Sequence, residues 1–166
     1  MRSVMNHNRL KIMVIVVAAF IVSTSLAFAA DLKPHKVGPK DKCPVCGMFV
    51  AKYPDFAAQI QFQDGSTFHF DGAKDMFKYY LNLSRYAPGK KSADITAVFV
   101  TNYYDLTLVD GLLAYYVIGS DIYGPMGREL VPFSKESEAR DFLKDHKGKT
   151  IIRFRDVTSA LLRPLD

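Results

Sequence analysis

The sequence contains only two cysteines in 166 residues, Cys43 and Cys46, and no second pair at metal-binding spacing. A closed structural zinc site needs four nitrogen or sulfur ligands, so this chain is a poor candidate for one. A disulfide across so short a loop would add little stability, because the closure entropy grows with loop length. The two cysteines therefore indicate a role other than scaffolding.

The chain also lacks a strong excess of charge, a low-complexity tract, and the motifs of P-loop proteins and serine hydrolases. Its formal charge of +5 falls to +2 without Arg2, Arg9 and Lys11, which lie in an N-terminal leader that carries no acidic residue. A charge this small does not indicate binding to nucleic acid or to an anionic membrane surface. Hydrophobic residues make up 49% of the sequence, enough for the core of a single domain.

No unbroken apolar run reaches the roughly 20 residues that a membrane-spanning helix needs. The apolar run 12–22 follows the basic leader residues and precedes Ala27-Phe28-Ala29, a pattern typical of a secretory cleavage site. We therefore expect residues 1–29 to be a cleavable signal peptide and the mature protein to be periplasmic, with an uncleaved membrane anchor as the alternative. Residues 30–42 would form a flexible N-terminal strap and residues 43–163 the folded domain.

Hydrophobic periodicity and turn residues predict two successive rounds of strands and helix. The first round has strands at 56–62 and 67–70 and a helix at 72–83 capped by Asp71. The second has a strand at 95–104, a hairpin around Asp110-Gly111, a glycine-rich loop at 119–127, a strand at 128–133, a helix at 135–146, a strand at 150–154 and a short last helix at 156–162. Phe70-Asp71 before the first helix echoes Phe133-Ser134 before the second. These patterns predict an α+β fold of two related ββα-type units packed as one domain, with antiparallel sheets and amphipathic helices.

The densest chemistry lies in Cys43-Pro44-Val45-Cys46-Gly47-Met48, which holds both thiols and a thioether. Soft sulfur ligands select Cu(I) over hard cations such as Mg²⁺. Cys46 and Met48 stand two residues apart and point to the same side of an extended segment. The sequence therefore predicts a loop, the sulfur loop (residues 43–48), that presents sulfur to a copper ion.

Four other side chains are candidates for this site. Met126 lies between Pro125 and Gly127 with no periodicity to place it in a core, so it is a candidate ligand from elsewhere in the chain. Met76 lies on the apolar face of the first helix, where a core position is the better interpretation. His35 in the strap could fold over a metal, whereas His69 alternates with two phenylalanines and is expected to face solvent.

Three motifs together resemble those of the nitrous oxide reductase accessory protein family, NosL. They are Cys43-x-x-Cys46-Gly47-Met48, the run Phe-Asp-Gly-Ala-Lys-Asp-Met-Phe at 70–77, and Gly124-Pro125-Met126-Gly127 followed by Glu129-Leu130. The resemblance spans roughly residues 39–162. It implies a periplasmic copper-binding protein whose two-part α+β fold is distantly similar to organomercurial lyase. It places copper ligation on Cys46 and Met48, with Met126 in the second motif.

The resemblance also implies partners: a copper-receiving enzyme, nitrous oxide reductase first of all, and a membrane copper transporter or an ABC-type assembly complex. Many members of the family are lipoproteins with a cysteine at the mature N-terminus. In this sequence we expect an ordinary signal peptide in its place, which leaves room for a paralogue that serves another copper enzyme.

We predict a metallochaperone and not an enzyme. Cu(I) would be bound by Cys46 and Met48, and the ligand set would be completed by Met126 and by Cys43 or His35. A thiol–disulfide oxidoreductase or lyase that uses the two cysteines is the alternative, although the pair precedes strands and not the helix that such enzymes use. A structural subunit of a transporter assembly is a third hypothesis.

Overall fold

The computed structural model describes residues 32–166, and the signal peptide predicted over 1–29 lies outside them. Within the described part the strands and α-helices are β1 (Ala58–Phe62), β2 (Thr67–Phe70), α1 (Ala73–Leu81), α2 (Leu83–Tyr86), β3 (Ile95–Thr101), β4 (Leu108–Asp110), β5 (Tyr115–Gly124), β6 (Gly127–Phe133), α3 (Glu136–Asp145), β7 (Thr150–Arg153) and α4 (Ser159–Leu162). No helix among these is long and apolar enough to cross a membrane.

The strands form two antiparallel sheets, one of four strands and one of three, and three strands of the first correspond in order to those of the second. The first sheet runs β2-β1-β3-β4 and the second runs β6-β5-β7. In each, two strands form a hairpin, a helix follows, and the next strand returns beside the first strand of the hairpin. The predicted α+β fold of two related ββα-type units is therefore confirmed.

Helix α1 packs against both sheets. Its Phe77 ring lies 5.1 Å from the ring of Tyr116 on β5, and its Tyr79 ring lies 5.1 Å from that of Phe70 on β2. These four side chains are fully buried. Burial of each large apolar side chain contributes roughly 1.5–3 kcal/mol, so the contacts fix α1 firmly between the two halves. A smaller second core, centred on Phe133 and Phe142, lies under α3.

The second predicted hairpin is wrong. The hairpin predicted around Asp110-Gly111 does not pair β4 with β5, because β4 pairs with β3 and β5 belongs to the second sheet. The chain does turn here, and the Asp110 carboxylate accepts the backbone N–H of Leu112 at 2.8 Å. The turn leads from the first sheet to the second. A turn signal gives the place where the chain reverses, but not the strand with which it pairs.

The segment predicted as a glycine-rich loop at 119–127 is largely strand. Strand β5 continues to Gly124, which pairs with Gly127 across the Pro125-Met126 turn. The pairing is irregular between Ile118 and Tyr123. Glycine weakens a strand without preventing one, and here the hairpin partner supplies the hydrogen bonds. Met126 therefore lies at the tip of a long hairpin.

Candidate metal centre

The sulfur loop is closed by its own backbone. The N–H of Cys43 donates to the carbonyl of Met48 at 2.9 Å, and the N–H of Gly47 donates to the carbonyl of Cys43 at 2.9 Å. Gly47 has a φ of +79°, a left-handed conformation that residues with a side chain rarely adopt. The loop thus folds back on itself and presents both thiols to the start of α1.

Two carboxylates from the start of α1 meet these thiols. The Cys46 Sγ lies 3.2 Å from Asp71 Oδ1, and the Cys43 Sγ lies 3.5 Å from Asp75 Oδ2. One ligand atom from each of the four residues lies within 4.8 Å of all the others. We call this group the thiol–carboxylate cluster (Cys43, Cys46, Asp71 and Asp75). It supplies enough donors to surround one metal ion.

The expectation that Asp71 caps α1 is wrong. Gly72 occupies the cap position, and no side chain caps the helix there. The Asp71 carboxylate turns to Cys46 instead, and its Oδ2 is buried with no hydrogen-bond partner among the residues that the structure describes. Leaving a buried carboxylate oxygen unpaired is costly, and this oxygen is free to accept a hydrogen bond or to bind a cation.

Burial keeps both thiols protonated at neutral pH. The pKa of Cys46 is raised to about 12, mainly by desolvation; the Met48 backbone N–H opposes this rise and the neighbouring Asp71 carboxylate adds to it. Desolvation raises the pKa of Cys43 still more strongly, because its side chain is almost completely buried. Each thiol can then donate to a carboxylate, and a metal that binds the sulfurs must displace their protons.

Met126 and Cys46 line one cavity of about 430 Å³, to which Asp75 and Lys78 also contribute. The Met126 side chain is 44% exposed, so its sulfur is accessible from solvent. Among residues 32–166, Met48 does not line this cavity. Its backbone contacts both cysteines: its carbonyl accepts the N–H of Cys43, and its N–H hydrogen-bonds the Cys46 sulfur. The structure therefore brings Cys43, Cys46 and Met126 to one region, and ligation by any of these sulfurs stays a prediction.

Sequence reasoning missed the two carboxylates. Their signal was the spacing of four residues between Asp71, just before the predicted helix, and Asp75 in its first turn. An acidic residue there usually serves as a cap or complements the helix dipole, so the pattern alone does not distinguish the two uses. Met76 is fully buried, and its predicted core position is confirmed.

The two histidines weighed as ligands, His69 and His35, are not part of the thiol–carboxylate cluster. The prediction that His69 faces solvent is wrong: it is 9% exposed, and its Nδ1 lies 2.9 Å from Asp41 Oδ2 in the strap. The His35 ring hydrogen-bonds Thr67 Oγ1 at 2.8 Å, and its backbone N–H donates to Gln59. The strap covers the His69 face of β2, which alternation along the strand could not reveal.

Together the fold and the cluster define a small α+β protein with a candidate metal site of mixed sulfur and oxygen donors beside an open cavity. The sulfurs favour soft cations and the carboxylates harder ones. The family model described as NosL matches residues 34–162, and the chain belongs to that family.

Relatives agree with this membership. The chain is 29% identical over 135 residues to the copper-binding lipoprotein NosL of Stutzerimonas stutzeri, a match that covers 80% of this chain and 70% of that protein. The crystal structure of the copper chaperone NosL from Shewanella denitrificans is similar in fold, with a TM-score of 0.65 at 23% identity over 77% of this chain and 97% of that one.

Proposed function

We propose that this protein is a copper chaperone that holds Cu(I) with the thiolates of Cys46 and Cys43 and the thioethers of Met126 and Met48. The observation that carries the proposal is the gathering of two thiols next to a cavity that Met126 also lines. Thiolate and thioether ligands favour Cu(I), and the copper-binding name of the relative from Stutzerimonas stutzeri supports the same metal.

Loading replaces the protons of the two thiols with one metal ion. Two thiolates and Cu(I) together carry one negative charge, to which ionised Asp71 and Asp75 would add two more. Lys78 offsets part of this charge, since its Nζ lies 3.7 Å from Asp75 Oδ1. The negative charge of the cluster attracts a cation, and its two sulfurs favour a soft one.

The same geometry favours transfer. Cys46 is only partly buried, it lines the cavity, and the exposed Met126 is a weak thioether ligand at the edge. A ligand from a recipient protein can bind the copper before the first one leaves, so free Cu(I) need not be released. We propose nitrous oxide reductase as the recipient, and a membrane copper transporter or an ABC-type assembly complex as a further partner. Residues 1–29 would export the chain to the periplasm, and 30–42 would form the strap before the domain at 43–163.

Anaerobic Cu(I) titration of the exported protein, followed by native mass spectrometry, tests the site. We expect one Cu(I) per chain. Cys46→Ser should weaken binding by more than about 100-fold, since even residues that only orient ligands cost 10–100-fold when mutated. Met76→Leu is the matched control, because this methionine lies in the core. If Cys46→Ser binds like the wild type, the assigned site is wrong.

A transfer assay tests delivery. The copper-loaded protein is mixed with nitrous oxide reductase that lacks copper, and with an unrelated copper protein in its copper-free form as the control. We expect the transfer rate to rise with the concentration of the reductase and to be slow for the control. Equal rates for both would show that Cu(I) is simply released, which contradicts delivery through a docked complex.

The redox alternative predicts activity without metal. A reactive thiol of a disulfide oxidoreductase has a lowered pKa, whereas burial raises the pKa of Cys46 to about 12. This direction disfavours the alternative. Reduction of a model disulfide by the metal-free protein at a rate above that of free cysteine would restore it.

A further inference from the structure

A buried lysine links the two halves of the protein at the proposed copper site. Lys74 lies in the first turn of α1, between Asp71 and Asp75, and is 1% exposed. Its Nζ donates to the backbone carbonyl of Met126 at 2.6 Å and to that of Leu165 at 2.9 Å. Lysine is almost never fully buried unless it is paired, and these carbonyls, together with the Asp166 carboxylate 3.9 Å from Nζ, account for its position.

The backbone of Lys74 contacts the same hairpin. Its N–H donates to Glu129 Oε1 on β6, three residues beyond Met126. Gly72 permits this approach, because a Cβ at that position would clash with Glu129 Oε2. Lys74 therefore joins the first turn of α1, which carries Asp75 and closely follows Asp71, to both the tip and one strand of the β5–β6 hairpin.

The Met126 side chain has little packing of its own to hold it in place, since it is 44% exposed. Its position is set by its backbone, and the Lys74 ammonium holds the carbonyl of that residue. Hydrogen bonds from a charged donor are about twice as strong as neutral ones. A buried charge is also expensive, and an apolar side chain of similar size would fill the space at lower cost.

We propose that Lys74 is a positioning residue for the copper site: it fixes the backbone of Met126 so that the thioether lies at the cavity lined by Cys46. This inference rests on the proposed function and adds a residue to it. A merely structural role, in which Lys74 holds only the C-terminal turn at Leu165, predicts lower stability with an unchanged copper site.

The test reads the Met126 methyl group directly. The exported protein is labelled with ¹³C in its methionine methyl groups, the Met126 signal is assigned with Met126→Leu, and Cu(I) is added anaerobically. In the wild type we expect the Met126 methyl signal to shift. In Lys74→Met the shift should be lost and the Cu(I) affinity should fall about 10- to 100-fold, the usual effect of removing a residue that orients a ligand.

A double-mutant cycle separates positioning from stability. If Lys74 acts through Met126, Lys74→Met should change Cu(I) affinity less than about 2-fold in the Met126→Leu background. Lys74→Arg, which keeps the charge and the donors, should retain the Met126 shift. Lys90→Met is the control, because Lys90 bonds Asp64 and Ser66 and does not line the cavity. Lys74→Gln repeats the test if Lys74→Met fails to fold.

The outcomes separate the two proposals. A Met126 signal that shifts equally in Lys74→Met and in the wild type, or an undiminished effect of Lys74→Met in the Met126→Leu background, overturns the role of Lys74 and leaves the copper site intact. A wild-type protein whose Met126 signal ignores bound Cu(I) overturns the assignment of Met126 as a ligand.

Discussion

The Cu(I) affinity should rise with pH, and the steepness of the rise should give the number of thiolates that bind the metal. The pKa of Cys46 is raised to about 12 and that of Cys43 is raised further, so both thiols are protonated between pH 6 and 8. Each thiolate that binds Cu(I) then costs one proton. With two thiolates the Cu(I) affinity rises 100-fold for each pH unit, and from pH 6 to 8 this amounts to about 5.5 kcal/mol.

The assay is an anaerobic competition with a chelator whose own pH dependence is known, together with a count of protons released in weak buffer. We expect a slope of two in the logarithm of affinity against pH, and two protons released for each Cu(I). Either single variant, Cys43→Ser or Cys46→Ser, should reduce both values to one.

Several results would refute this reasoning. A slope near zero would mean that the metal is not held by thiolates. A slope of one in the wild type, unchanged in Cys43→Ser, would remove Cys43 from the ligand set. Asp71→Asn tests whether a thiol proton moves to the Asp71 carboxylate when the metal binds. Such a transfer would lower the number of protons released by the wild type but not by the variant.

Three further predictions concern the fold. Burial raises the pKa of Glu129 to about 7 from an ordinary value of 4.5, so the folded state binds more protons than the unfolded state in that window. The free energy of unfolding should therefore fall by about 3 kcal/mol as pH rises through it, a loss absent from Glu129→Gln in urea titrations at pH 5 and 8. Phe77→Ala should lower the free energy of unfolding by about 3–5 kcal/mol in the same assay, because it empties the contact between α1 and β5. Arg140→Ala should change the melting temperature very little, because its ion pair with Glu136 is exposed.

The parts of the site that the sequence predicted are local. The spacing of Cys43, Cys46 and Met48 is visible within six residues, and so is Gly47, which can adopt the left-handed conformation found in the closed loop. The helix at α1 and the hairpin β1–β2 likewise follow from periodicity and a turn dipeptide, both of which act over short distances.

The parts that the sequence did not predict depend on contacts between distant segments. Asp71 meets Cys46 across 25 positions, and Asp75 meets Cys43 across 32. The local sequence of either segment does not show that the two segments are in contact. An aspartate before a helix is ordinarily explained as a cap. The pairing of β4 with β3 failed for the same reason, since strand partners are chosen by the tertiary structure.

The internal repeat explains why the site is asymmetric. Both units follow the order hairpin, helix, strand, yet the second has Ser134 where the first has Asp71, and its core lies under α3 without a thiol. The second unit differs instead in its hairpin: β5 and β6 have ten and seven residues, against five and four in β1 and β2. A break in strand register, as between Ile118 and Tyr123, locally bends a hairpin, and the added length carries Met126 to the start of α1. The first unit thus supplies the thiol–carboxylate cluster, and the hairpin of the second unit brings Met126 to it. The proposed copper site therefore depends on the contact between the two halves.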